Sequence, residues 1–511
     1  MKLRPWAAAA ALATAAALVL SGCSGSGSTS PGTTATGGTL TIGALADVKS
    51  FDPAQAHIGH FLQYDQPVYD SLIRRKPDGS LVPMLASKWV YDDSKTHLTL
   101  TLRDDVKFSD GTKLDAAAVK VNLDRFRTGN GPDASTLAQV SDVQEKDAKT
   151  VVITLKAADP ALLDNLGNAD GFIASPKAID AGSIATDPVG SGPYTLDKST
   201  TVVGSSYTFV KRAGYWDPSL QVYDKIVVKP IVDSTAMVNA LLSGQVNVAL
   251  LTAKTESQAK NAGFTEYKYG TDWQGLLIFD RDGKMVPALK DVKVRQALNF
   301  AIDKKTLLKQ VGKGFGTVTN QVFGPTTDAY DESLDKSYPY DPAKAKKLLA
   351  SAGYSDGFEV TMPTVAGAFD PALTAAIGQN LADVGITVVW QNVAAPDFLS
   401  ALVQGKFPMS WFSLFQGSPW VAANQMITPN ATYNPLHTTD PKVEELVGTI
   451  QIGSASEQKA AAKALNTYIT ENAWFVPFYR PDQILFTDKN TTTTPQVQQA
   501  VPSIYSYAPK K

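Results

Sequence analysis

The sequence predicts an α/β protein of more than one lobe, one part of which is β-rich. Helix-to-strand units recur along the chain, and one stretch alternates apolar with polar residues at a period of two. About 490 of the 511 residues follow the single cysteine, Cys23, ample length for several hydrophobic cores.

The first element is an export signal. Lys2 and Arg4 precede an apolar run of about 14 residues, where a spanning helix needs about 20, so residues 1–22 read as a cleaved leader. Its end, "LSGC" at residues 20–23, resembles the lipobox of bacterial lipoproteins. That resemblance implies lipid on Cys23, with more than one acyl chain because each buried methylene contributes only about 0.8 kcal/mol. A chain with one cysteine forms no internal disulfide, so stability rests on core burial. The following "SGSGSTSPGTTATGG" has the composition of a flexible tether reaching about 20 Å, so the lipidated cysteine and tether occupy residues 23–37.

Residues 39–44, "TLTIGA", then read as a buried strand, and Asp52-Pro53 as a turn. "HLTLTLR" sets Leu98, Leu100 and Leu102 against Thr99, Thr101 and Arg103, a strand buried on one side. In "DSTAMVNALLSGQVNVALL" a helix over residues 234–242 carries Ala236, Asn239 and Ala240. It stops at Gly244, and a strand follows over 246–251. "YDPAKAKKLLASAGY" has Asp341 as N-cap, Pro342 at the first helical position and Gly353 as the stop. "PALTAAIGQNLADVGITVVW" aligns Leu373, Ile377 and Leu381 on one helical face, ends at Gly385 and enters a strand over 386–390.

Charge and motifs narrow the function. The formal charge of −2, about −4 without Lys2 and Arg4, offers no field for nucleic acid. The chain has no G-x-S-x-G elbow, no H-E-x-x-H helix and no G-x-x-x-x-G-K-[ST] loop, so neither an enzyme nor a cofactor is expected. His57 and His60 could share a helical face, but two histidines alone make a poor metal site, and none is expected.

Seven motifs occur in one order. Residues 68–126 begin "VYDSLIRRKPDGSLVP", and "DPVGSGPYTL" at 187–196, "AGYWDP" at 213–218 and "LLSGQVNVAL" at 241–250 follow. "DVKVRQALNFAID" at 291–303, "LADVGITV" at 381–388 and "AWFVPFYRPDQI" at 473–484 complete the set. Together they resemble the family 5 extracellular solute-binding proteins, the peptide- and nickel-binding components of bacterial ABC importers.

The resemblance implies a two-lobed periplasmic-binding-protein-like fold (type II, cluster C) with an extra β-rich subdomain in the first lobe and a hinge. It assigns residues 38–76, 187–282 and 487–511 to lobe I, 77–186 to the inserted subdomain and 283–486 to lobe II. It further implies a monomer outside the cell membrane, at the cell surface or in the periplasm, that delivers a solute to ABC permease subunits. The default ligand is a dipeptide or oligopeptide. Within the motifs, Arg295 with Asp303 reads as fixing a helix, Gly190 and Gly192 as permitting a tight turn, and Tyr215 with Trp216 as lobe packing.

Ligands in α/β lobes gather at the carboxyl ends of strands. This points to Ala46, Asp47 and Phe51 after the first strand, and to Trp273 and Gln274 in "YGTDWQG". It points most strongly to "PMSWFSLFQGSPW" at residues 408–420, where Trp411, Phe412, Phe415 and Trp420 offer apolar surface and Gln416 and Ser418 offer neutral hydrogen bonds. Peptide binders of the family carry an acid here, in a D-x-P-like stretch; this chain has Gln416, Gly417 and Ser418 before Pro419. A buried ammonium without a carboxylate is costly, so a peptide would need Asp47, Asp65 or another acid. A sugar or other neutral solute suits the segment as well. A metal chelate held by His57 and His60, a sensor and a secreted hydrolase are the further alternatives.

Overall fold

The computed structural model describes residues 37–510. The leader, Cys23 and nearly all of the tether lie outside the described residues.

One strand organises the architecture. Phe475–Thr487 runs for 13 residues, about 43 Å at 3.3 Å per residue. It is apolar at both ends, with Phe475, Val476 and Phe478 before Arg480-Pro481-Asp482 and Ile484, Leu485 and Phe486 after. Its later residues pair antiparallel with Val248–Leu251 and with Thr265–Gly270. Its earlier residues pair with Asp272–Ile278. Thr271 alone separates Thr265–Gly270 from Asp272–Ile278, so the chain passes between two halves twice, along paired extended segments near residues 270–272 and 480–482.

In the first half the sheet continues from Val248–Leu251 through Thr39–Ala44, Lys225–Pro230, Tyr207–Lys211 and Tyr194–Leu196. Thr39–Ala44, with the bounds read from sequence, is parallel to both neighbours and buries Leu40 and Ile42 among Phe209, Ile226 and Val228. The helix Ser234–Leu242 is capped by Asp233, whose carboxylate accepts from the Ala236 N–H at 2.7 Å. It packs Met237, Val238 and Leu241 against Ala249 and Phe486; Ala236 and Asn239 face solvent.

The β-rich insert is a four-stranded antiparallel sheet in the order Ala86–Tyr91, His97–Leu102, Thr150–Leu155, Val140–Asp147. Leu98, Leu100 and Leu102 are buried with Val119, Leu123 and Phe126 of the helix Ala116–Thr128, which covers one face. The alternation in "HLTLTL" is therefore a one-sided burial pattern.

In the second half Met409–Phe415 pairs with Asp272–Ile278, and Phe358–Thr364 lies parallel to Ile386–Asn392. The helix Pro371–Ala382 buries Leu373, Ile377 and Leu381 on this layer. Asp341 caps Pro342–Ser351 by accepting from the Lys344 N–H at 2.9 Å, and Gly353 leaves the helix at φ +88°, a left-handed conformation that glycine adopts without strain. Leu276 and Ile278 share the core of this half with Leu298 and Val476.

The motif residues hold the fold together in ways that spacing did not show. Gly190 and Gly192 serve close approach: a Cβ there would lie 2.1 Å from the Val68 carbonyl oxygen and 2.4 Å from its carbonyl carbon. Arg295 does not pair with Asp303. Its guanidinium donates to the carbonyls of Leu289, Lys290 and Asn472, while Asp303 caps Lys304–Gln310 through the Thr306 N–H. Tyr215 and Trp216 both donate to Asp70, at 2.9 and 2.8 Å.

Candidate functional site

Where the chain crosses between the halves it leaves a cavity of about 290 Å³. Tyr269 and Gly270 line it from the first crossing, and Arg480 and Asp482 from the second. Tyr330 and Gln416 come from the second half, and Gln496 and Gln498 from the C-terminal segment that returns to the first. The cation on its wall is already engaged: Arg480 donates to the Phe323 carbonyl at 3.0 Å, pairs with Asp335 at 3.4 Å and lies over the Tyr330 ring. Burial lowers its pKa, and Asp335 opposes that shift. Burial raises the Asp482 pKa, with Lys268 acting against the rise.

Gln416 is buried here as the chain leaves Met409–Phe415. Its N–H donates to the Thr271 carbonyl at 2.8 Å, and its side-chain amide donates to the Asp272 carbonyl. Gly324 makes room for it, since a Cβ there would lie 1.8 Å from the Gln416 Oε1. This neutral side chain thus ties the second half to the first crossing. Asp272, next in sequence to Thr271, has a carboxyl whose pKa is raised by burial and lowered in part by Thr271.

The other residues singled out from the sequence are spread over several environments. Trp273 is 1 % exposed and packs edge-on against Phe475 at 5.8 Å, deep in the second half. Its size reflects core filling. Gln274, opposite Ser413, is half-buried. Trp411 stacks edge-on against Phe369 at 5.0 Å, and Phe412 packs on Tyr433 at 5.2 Å. Phe415 faces Asp272 across the strand pair. Ser418 caps the helix Pro419–Met426 by accepting from the Val421 N–H. Trp420 reaches outward to the insert, where its Nε1–H donates to Asp159 at 2.9 Å. Two further bonds join the same surfaces: Gln451 to the Ala158 carbonyl at 2.8 Å, and Lys95 to the Gly453 carbonyl.

A second cavity, about 370 Å³, opens beside the segment that follows the first strand. Its walls include Val48, Lys49, Ala56, His57, Phe61 and Asp65. The three residues named from this segment by sequence are engaged elsewhere. The Ala46 carbonyl accepts from Tyr64 Oη–H at 2.9 Å, the Asp47 carboxylate accepts from Tyr207 Oη–H at 2.7 Å, and Phe51 packs edge-on against Tyr207 and Phe209. His57 lies 3.7 Å from Asp133, and burial together with nearby His57 lowers the His60 pKa. Among the described residues no group of three or more His, Cys, Asp or Glu could hold a metal ion.

Sequence reasoning missed Tyr330, Arg480, Asp482, Gln496 and Gln498. Arg480 and Asp482 stand inside a quoted motif, and the prolines at 477 and 481 on either side of Arg480 mark an irregular point in a long strand. No local signal marks Gln496 and Gln498, which reach the cavity only through the return of the C-terminal segment.

Residues 80–434 match the model of the bacterial extracellular solute-binding proteins, family 5 Middle. The chain is 33 % identical over 304 residues to the glutathione-binding protein GsiB of Salmonella paratyphi A, covering 58 % of this chain and 57 % of that relative. It is 28 % identical over 447 residues to the glutathione-binding protein GsiB of Escherichia coli K12, covering 83 % of this chain and 85 % of the relative. Its fold is that of the periplasmic binding protein DppA from Helicobacter pylori, solved with the peptide STSA, at TM-score 0.72 and 22 % identity over 93 % of this chain and 99 % of that one. The α/β, type II periplasmic-binding-protein architecture follows from that likeness, and the chain belongs to the family 5 bacterial extracellular solute-binding proteins.

Proposed function

We propose that this protein captures a small solute between its two halves outside the cell membrane and passes it unchanged to the permease subunits of an ABC importer. The observation that carries this reading is the cavity at the double crossing, whose walls come from both halves and from both connecting segments. A solute seated there touches both lobes at once. Only a solute that binds the closed arrangement better than the open one can shift their equilibrium. The bonds from Trp420, Gln451 and Lys95 to the opposite surface add to the closed arrangement.

The lobe limits consistent with the strand pairing are Thr271 and Pro481, with the hinge at those residues and Leu276 and Ile278 in lobe II. A short peptide is the default solute, in keeping with the relatives' names. The stretch where the family's peptide binders carry an acid reads Gln416, Gly417 and Ser418 before Pro419 in this chain, and the Gln416 amide is already used by the Asp272 carbonyl, so a peptide's ammonium needs another carboxylate.

Native mass spectrometry of the full chain, purified without denaturation, reads the retained solute. Small-angle scattering then compares the protein before and after the solute is stripped. The expected result is a small molecule released unchanged and a larger radius of gyration without it. Identical scattering in both states overturns closure, and conversion of the solute on long incubation overturns capture without chemistry. Lipid on Cys23 is the proposed tether. Cys23→Ser is expected to release the protein into the medium or periplasm, and continued membrane retention overturns that assignment.

A further inference from the structure

The cavity beside the first strand contains a group that the fold does not use. Asp65 ends the short helix Leu62–Asp65, is 3 % exposed and lines the cavity wall. Its backbone carbonyl accepts from the Val68 and Tyr69 N–H groups. Its carboxyl, among the described residues, receives no hydrogen bond and no ion pair, and burial is the sole cause of its displaced titration. A largely buried acid without a donor is costly to carry, and Asn or Leu would fill the position more stably.

The walls around it are mixed in a telling way. Val48, Ala56, Phe61 and Pro132 are apolar, Lys49 is exposed at the edge and forms no ion pair among the described residues, and His57 lies 3.7 Å from Asp133. The neighbouring carboxylates have their own partners. Asp52 takes both nitrogens of Arg125 at 3.0 and 2.7 Å, and Asp133 accepts from the Ile58 N–H at 2.8 Å. One acid and one cation are thus left free on the walls of a cavity of about 370 Å³, a volume that holds a molecule of dipeptide size.

We propose that this cavity binds a small zwitterion, its ammonium group on the Asp65 carboxylate and its anionic end toward Lys49. The ligand's ammonium supplies the donors that Asp65 lacks, in charge-assisted hydrogen bonds. The proposal rests on the reading of the chain as a solute binder; its cavity is separate from the one at the double crossing, and Asp65 is the amine-recognising acid of this second site.

Calorimetry on the full chain with alanylalanine, N-acetyl-alanylalanine and n-butylamine tests it, in the wild type, in Asp65→Asn and in Lys49→Ala. Alanylalanine is expected to bind the wild type. Acetylation and Asp65→Asn are each expected to weaken it by about tenfold or more, and Lys49→Ala to weaken it less. Butylamine is expected to bind more weakly than the dipeptide and to lose that binding in Asp65→Asn, which separates a lone amine from a zwitterion. Butylamine binding as tightly as the dipeptide, with Lys49→Ala silent, overturns the zwitterion assignment. Equal affinity for the acetylated dipeptide, unchanged affinity in Asp65→Asn, or no heat from either free amine overturns the role of Asp65. Solute retained in native mass spectrometry in any of these cases leaves the binding function standing, so the two failures are distinguishable. Asp65→Asn is also expected to raise the thermal midpoint of the unliganded protein, whereas a purely structural Asp65 would lower it.

Discussion

Asp65 and Asp70 lie five residues apart, both buried in the same half of the molecule, and they are opposites. Asp70 is 0 % exposed and receives Tyr215, Trp216 and Tyr505 at 2.9, 2.8 and 3.3 Å. The Asp65 carboxyl receives no donor among the described residues. Burial pushes both pKa values up, but donors hold Asp70 at about 6 while Asp65 reaches about 8. The contrast separates two uses of a buried acid: a carboxylate surrounded by donors is a joint of the fold, and one without donors costs stability in the empty protein. The largest expected effect follows from the joint. Asp70→Ala strands one buried donor, Tyr215, and two partly buried ones, Trp216 and Tyr505, and loss of about 3 kcal/mol in urea unfolding is expected. A loss below about 1 kcal/mol would erase the contrast with Asp65.

The pH response of Asp65 probes the same contrast from the other side. Its folded-state pKa of about 8 exceeds the ordinary 3.8, so between those values the folded protein holds a proton that the unfolded chain has lost. Stability from this group therefore falls as pH rises from about 4 to about 8. Asp170, also raised to about 8 by burial despite the Thr136 hydroxyl, acts in the same direction. Asp65→Asn removes the first contribution and leaves the second. The stability gap between Asp65→Asn and the wild type is expected to widen from pH 5 to pH 8 by on the order of 3 kcal/mol. A gap independent of pH would mean that Asp65 titrates normally.

The legibility of these features in the sequence divided along physical lines. Local rules carried the capped helices: Asp341, Gly353 and the Leu373, Ile377, Leu381 face depend on residues within a few turns. The strand Thr39–Ala44 and the one-sided alternation at Leu98 to Leu102 were equally local. The candidate sites were not, because an aromatic residue looks the same in sequence whether it lines a cleft or fills a core. Trp273 fills a core, and Trp411 and Phe412 pack on aromatic neighbours of the second half. Gln416 was legible as a departure from the family's acid, yet its bond to the Asp272 carbonyl required the fold. Arg480, Gln496 and Gln498 meet at one cavity only because two distant segments return to the crossing.

The contact between Trp420 and Asp159 offers a smaller effect that bears on the same question of partnered acids. Asp159 is 8 % exposed and accepts from the Ala161 N–H at 3.0 Å within its own segment and from Trp420 Nε1–H across the gap. Burial raises its pKa, and both donors oppose the rise. It therefore stands between Asp70 and Asp65: one donor is permanent and the other depends on how the halves sit. Trp420→Phe keeps the ring and removes the donor, so the fold is expected to persist while the closed arrangement weakens by about 1 kcal/mol, or about fivefold in solute affinity. Asp159→Asn, with Trp420 in place, retains an acceptor for the indole and is expected to lose much less. Equal affinities in wild type and Trp420→Phe, measured by calorimetry with the retained solute, would show that this bond holds two surfaces together without contributing to capture.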